Sequence, residues 1–189
     1  MATYDKQRAI DMPVLVEFIQ NTQPKMWQRY QNVYGDRAEK QLYTIFQQNV
    51  EQNGLVSVLR YGVKDRGMEL RFAYFAPASN LNLDLVERYN KNILTCTRQF
   101  AYSTQNSNTI DVVLSLNGIP IVALELKNQL TGQSEQCQAS VYVRQGREGV
   151  LFPFQQSFLG LLCSGFVRGG DGNGTQGRKY LLPAIQPRL

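Results

Sequence analysis

The run IDVVLSLNGIPIVALELKN, residues 110–128, constrains the fold more than any other part of the chain. It holds two apolar, β-branched-rich segments separated by Asn117-Gly118. Asn-Gly supplies the two left-handed positions of a tight turn, and the flanking segments are too short for helices but the right length for strands. The run therefore predicts a β-hairpin with both strands largely covered by the rest of the chain. Its charges stand at its ends: Asp111 opens the first segment, and Glu125 and Lys127 close the second. Covered strands do not need charges there, so these residues call for a separate explanation.

Register decides whether the charges meet. Glu125 and Lys127 are two apart and share one face of a strand, while Leu124 and Leu126 share the other. Asp111 lies opposite Glu125 if the loop is the three residues Asn117-Gly118-Ile119, with Leu116 facing Pro120. A plain two-residue Asn-Gly loop moves Asp111 to the wrong face. Pro120 has no N–H to give to a tight ladder. The expectation is an odd-length loop, or a bulge that restores the parity.

Two carboxylates held close together repel, and each raises the pKa of the other. A divalent cation removes that penalty, and an all-oxygen ligand set favours Mg²⁺ or Mn²⁺ over zinc. Such an ion polarises a phosphoryl oxygen and lowers the pKa of bound water. Lys127 beside it would orient the water and stabilise developing charge. Asp111, Glu125 and Lys127 are thus candidates for metal-assisted phosphodiester cleavage, with Asp111 and Glu125 as metal ligands. The competing reading is an ordinary Glu–Lys surface pair at a strand end. Gln138 and Tyr142, four apart on one face of a polar helix expected from about Ser134 to Arg144, are placed to hydrogen-bond phosphate or steady Lys127.

Composition narrows the alternatives. The chain has 189 residues, 43% of them hydrophobic, and no histidine. That length fits one domain with a real core. The missing histidine removes Ser-His-Asp and Cys-His machinery and every His-ligated metal site. The net charge is +5 and the pI about 9.2, which permits a polyanionic partner without requiring one. Cys96, Cys137 and Cys163 are dispersed and odd in number, and read as buried free thiols in a reducing cytoplasm. MATYDKQRAI carries no signal-peptide core, and no apolar run nears the roughly 20 residues that span a bilayer, so no membrane association is expected.

Along the chain, Met12 to Ile19 reads as a short helix. Asp36 is a candidate cap for a stronger one, in which Ala38, Leu42, Ile45, Phe46 and Val50 recur at helical spacing up to Gly54. Leu55 to Arg60 and Met68 to Phe75 read as strands joined across Gly62-VKDR-Gly67. Leu83, Val86 and Tyr89 suggest a short helix. Asn92 to Tyr102 reads as a strand with Leu94, Cys96, Phe100 and Tyr102 on one face. Segments 150–154 and 158–163 are further strand candidates. The fold class expected is α/β, a mixed central sheet flanked by helices, over residues 1–164. Residues 165–189 read as a glycine-rich, flexible tail. Gly172-NGTQ-Gly177-Arg178-Lys179 within it misses the phosphate-loop pattern, and no ATP site is expected.

The residues Asp111, Glu125-x-Lys127 and Gln138-x-x-x-Tyr142 together resemble the PD-(D/E)xK nuclease superfamily. The longer segments YFAPASNLN, ERYNKNILTCTRQFAYS and DVVLSLNGIPIVALELKNQLTGQ resemble the N-terminal nuclease domain of type I restriction enzyme R subunits, over residues 10 to 154. The resemblance implies a restriction-endonuclease-like fold and a Mg²⁺-dependent (or Mn²⁺-dependent) endonuclease acting on double-stranded DNA without sequence specificity of its own. It adds Glu39 as the match to an upstream helical glutamate. It implies modification and specificity subunits as partners, and an ATP-driven translocase region in full-length relatives that this chain stops short of. Lys91, Arg98, Arg144 and Arg147 are candidates to line a DNA groove, each with a solvated surface charge as the alternative. The competing function is a truncated, inactive DNA-binding or assembly remnant of the same fold.

Overall fold

A computed structural model describes residues 4–79, 81–102, 107, 109–126, 160–164 and 180–181, with the backbone alone at 125–126, 160–164 and 180–181. The N-terminal part is a helical layer. Helix α1 is Met12–Thr22, α2 Pro24–Tyr34, α3 Ala38–Asn53 and α4 Leu55–Tyr61, with a 3-10 turn at Gly35–Arg37. Asp11 caps α1 by accepting the Val14 N–H at 3.4 Å, satisfying one orphan donor of the first turn. The helix buries Met12, Leu15, Val16, Phe18, Ile19 and Thr22, a stripe at three- and four-residue spacing. Burial of each large apolar side chain there contributes about 1.5–3 kcal/mol.

Helix α3 follows the spacing read from the sequence: Ala38, Leu42, Phe46 and Val50 are buried and Ile45 is half-buried. Gly54 ends it with φ +77°, and its N–H bonds to the Val50 carbonyl at 2.9 Å. Asp36 does not cap this helix. It lies in the 3-10 turn, and Arg37 stands at the N-cap without a side-chain bond.

The strand expected at Leu55 to Arg60 is helical instead. Leu55, Val58 and Leu59 are its buried residues, an i, i+3, i+4 set, and glycines 54 and 62 bound it. Burial on a helical stripe outweighs the β-propensity of its valines. The Gly62–Gly67 turn region itself supplies β1, Val63–Asp65, which pairs antiparallel with β2, Met68–Leu70. The second predicted strand is thus reduced to three residues.

Helix α5, Leu83–Asn90, is capped by Asn82 and leads to the main sheet. Its strands are β3 Leu94–Ala101, β4 Thr109–Leu116, β5 Ile119–Leu126, β6 Gly160–Ser164 and β7 Tyr180–Leu181, adjacent in that order. All neighbours are antiparallel except β5 and β6, which run parallel. The chain is therefore α/β with a mixed sheet. β6 falls partly within the strand candidate at 158–163, and β7 within the glycine-rich segment. The helix expected at 134–144 and the segment 150–154 lie outside the described residues.

Two apolar clusters stabilise the fold. The larger joins α1–α4 and β1–β2 to the hairpin through Ile119, with Leu116 and Ile121 packed against it. The smaller gathers Ala9, Phe100, Tyr102, Ile110, Val113 and Ala123, with Tyr4 beside them. The predicted face of β3 divides: Phe100 and Tyr102 are buried, whereas Leu94 and Cys96 are exposed. Cys96 is thus an exposed free thiol, not a buried one. The alternation is interrupted at Gln99, whose φ is +48°.

Candidate active site

The hairpin turn has two residues. Leu116 pairs with Ile119 across Asn117 (φ +52°) and Gly118 (φ +78°). Both central residues adopt the positive φ that such a turn requires, which Asn and Gly tolerate best. Ser115 pairs with Pro120, and the next pair is Leu114 with Val122. Ile121 is therefore the extra residue of a bulge, which restores the parity that the two-residue turn removes.

Beyond the bulge the pairs are Leu114–Val122, Val113–Ala123 and Val112–Leu124. One further step of that register brings the Glu125 backbone across from Asp111. On its other side Asp111 meets β3. The pairs Arg98–Val112 and Phe100–Ile110 share one register, which sets Gln99 across from Asp111. Glu125 pairs with Cys163, and Cys163 with Tyr180. Continued by one step, these registers set Asp111 in line with Gln99 on β3 and Glu125 on β5.

The Asp111 carboxylate is half-buried, and its Oδ1 accepts from Gln99 Nε2 at 3.3 Å. Thr109 Oγ1 donates to Gln99 Oε1 at 3.0 Å. Among the described residues no group of three or more His, Cys, Asp or Glu side chains is placed to hold a metal ion. Asp111 and Glu125 stand on the neighbouring strands β4 and β5, and both are carboxylates, hard oxygen donors by residue type. That set fits Mg²⁺, which takes one or two carboxylates and keeps several waters.

The turn is anchored from below. Asn117 is fully buried; its Oδ1 accepts the Ile93 N–H at 2.7 Å, and its Nδ2 donates to the Phe72 carbonyl at 2.8 Å and to Asn92 Oδ1 at 3.0 Å. The Gly118 carbonyl accepts the Asp11 N–H at 2.9 Å, and a Cβ on Gly118 would stand 2.4 Å from the Asp11 carbonyl oxygen. These bonds fix the hairpin against the helical layer, and so fix the height at which Asp111 sits.

The other predicted residues are distributed unevenly. Glu39 is exposed in the first turn of α3, where a carboxylate complements the helix dipole, and it belongs to the helical layer. Lys91 follows α5 and is engaged locally: its Nζ lies 2.7 Å from Glu87 Oε1 and donates to the Asn21 carbonyl at 3.3 Å. That hydrogen bond and charge hold Glu87 below the usual carboxylate range. Arg98 is exposed on β3, one pair from the Asp111 row. Lys127, Gln138, Tyr142, Arg144 and Arg147 lie outside the described residues.

A separate groove of about 830 Å³ opens at the start of α2, lined by Lys25, Arg60, Glu69, Arg71, Tyr74 and Arg88 among others. None of the predicted catalytic residues lines it. Sequence reasoning passed over Gln99 and Thr109. A lone glutamine within a strand carries no pattern that marks it; the signal is its backbone conformation, which appears only in three dimensions. Among the described residues no helix is long and apolar enough to cross a membrane.

A family model described as "Type I restriction enzyme R protein N terminus" matches residues 18–156. No curated protein and no solved structure matches the chain.

Proposed function

Since the chain belongs to the family of type I restriction enzyme R protein N termini, we propose that it is the Mg²⁺-dependent endonuclease domain of such an enzyme, cleaving DNA phosphodiester bonds. The observation that carries this reading is the bulged hairpin register within the family match, whose ladder runs to Val112–Leu124 and, continued by one step, sets Glu125 across from Asp111. Directly opposed residues of an antiparallel pair share a sheet face, with Cβ atoms about 4.5–5.5 Å apart. Asp111 and Glu125 would then be the residues to hold one divalent ion.

Asp111 and Glu125 hold the ion. When bound, it supplies charge neutralisation between the acids and Lewis-acid polarisation of the scissile phosphate. Lys127, two residues along from Glu125, orients the attacking water and stabilises the negative charge that accumulates on the phosphate oxygens. Gln138 and Tyr142 contact the phosphate backbone or hold Lys127 in place. Glu39 is an accessory acid contributed by the helical layer. Arg98, Lys91, Arg144 and Arg147 attract the DNA backbone, so binding is sequence-independent and salt-sensitive. The family match supports a restriction complex with DNA and other subunits, of which the modification and specificity subunits are the proposed partners. ATP-driven translocation belongs to other regions of such enzymes.

The test is plasmid cleavage with Mg²⁺ or Mn²⁺ by the wild type beside Asp111→Ala, Glu125→Ala and Lys127→Ala. Loss of cleavage in all three variants, with the fold retained, supports the reading. Activity that survives all three changes ends it, and DNA binding without cleavage by the wild type identifies a non-catalytic module.

A further inference from the structure

Gln99 is the least expected residue near Asp111. It lies within a strand, yet its φ is +48°. L residues other than glycine rarely adopt that conformation, and glutamine has none of the local hydrogen-bonding advantage that asparagine and aspartate have there. The ladder omits the Gln99 step although the pairs on both sides keep their register. A strained residue of this kind persists only where its surroundings over-determine it, and such residues cluster at functional sites.

The side chain repeats the message. Thr109 Oγ1 donates to Gln99 Oε1 at 3.0 Å, and Gln99 Nε2 donates to Asp111 Oδ1 at 3.3 Å. A glutamine amide can rotate by half a turn and exchange its oxygen and nitrogen. The Asp111 carboxylate removes that freedom, because it only accepts and so must face the NH₂; the threonine hydroxyl then donates to the amide oxygen and steadies that rotamer. A carboxylate receiving that bond on Oδ1 is held in one rotation. Carboxylates that bind metals are commonly oriented in this way by an outer partner.

We propose that Gln99, set by Thr109, is a positioning residue that orients the Asp111 carboxylate for a divalent cation. The inference rests on the reading of Asp111 as a metal ligand. It assigns β3, the neighbour of β4 on the side away from β5, a part in the site.

The probe is Mn²⁺ alone, titrated into the full chain and followed by the electron paramagnetic resonance signal of the free ion. Four variants are compared with the wild type: Gln99→Gly, Thr109→Val, Thr109→Ser and Asp111→Asn. Glycine accepts the positive φ, so Gln99→Gly removes the amide without adding strain. Its Mn²⁺ affinity is expected to fall about 10–100-fold, the usual effect of losing an outer partner. Thr109→Val, which lacks the hydroxyl, is expected to weaken binding in the same direction. Thr109→Ser, which keeps it, should bind as the wild type does. Asp111→Asn should abolish binding. Wild-type affinity in both Gln99→Gly and Thr109→Val, with Asp111→Asn still defective, overturns the role of Gln99 and leaves the metal reading standing. Wild-type affinity in Asp111→Asn overturns both.

Discussion

The Asn117 amide donates to the Phe72 carbonyl at 2.8 Å, joining the tip of the site hairpin to the segment just after β2, 45 residues earlier. The same side chain takes the Ile93 N–H on its oxygen at 2.7 Å. Asn117 therefore has two roles: its backbone makes the turn, and its side chain satisfies the buried Phe72 carbonyl and the part-buried Ile93 N–H.

That double role makes Asn117→Ala costly. The change strands the Phe72 carbonyl and the Ile93 N–H and places alanine at φ +52°. The expected loss is about 2–4 kcal/mol, from unsatisfied buried groups plus a left-handed backbone. Urea unfolding measures it as a lower midpoint with an unchanged slope. A midpoint within error of the wild type contradicts the anchoring role.

Gly118→Ala tests the same junction from the backbone side. The new Cβ would meet the Asp11 carbonyl oxygen at 2.4 Å, so the hairpin or the start of α1 must move. A loss of about 1–3 kcal/mol is expected, as for other forced overpacking. Because Asp111 rides on this hairpin, Mn²⁺ affinity should fall as well. Wild-type stability in the variant would mean that the two layers are not in contact there.

Tyr4 gives a dependence on pH. Burial pushes its phenol above the ordinary value of 10.0, with the neighbouring Asp5 carboxylate adding to the effect. The folded state thus prefers the protonated phenol more than the unfolded state does. This contribution is complete below pH 10 and is lost as pH rises from 10 towards the folded-state value. The hydroxyl has no hydrogen-bond partner among the described residues, so Tyr4→Phe should be neutral or mildly stabilising at pH 7. Thermal melts from pH 7 to the alkaline limit should fall more steeply for the wild type than for Tyr4→Phe. Parallel curves contradict the burial of an unionised phenol.

Arg98 and Lys91 should differ in their effect on DNA binding. Arg98 is exposed one pair from Asp111, while Lys91 is held by Glu87 and the Asn21 carbonyl. Arg98→Ala is expected to reduce the slope of log affinity against log salt by about 1, the mark of one lost phosphate contact. Lys91→Ala should change it less. The reverse order would place the DNA along α5 rather than β3.

The hairpin was legible because its information is local. Apolar alternation, Asn117-Gly118 and the imino acid Pro120 together constrain the turn and the need for a bulge. Helix α3 was legible for a similar reason, since Ala38, Leu42, Phe46 and Val50 mark one face. Leu55–Tyr61 was misread because two valines in a seven-residue element outweigh its periodicity to the eye, although Leu55, Val58 and Leu59 carry the helical stripe. The exposure of Leu94 and Cys96 was not readable, because β3 is an edge strand whose first half is exposed on both faces, and what covers a strand is set by tertiary packing. The bonds from Asn117 to Phe72 and from Gln99 to Asp111 are tertiary, and side-chain identity alone predicts neither.

The central claim is that Asp111 and Glu125 share one divalent cation. Crystals grown with Mn²⁺ and measured by anomalous diffraction test it most directly. The account predicts one anomalous peak between the two carboxylates, within coordination distance of both. Carboxylates directed to opposite surfaces of the sheet, with no peak between them, would contradict it.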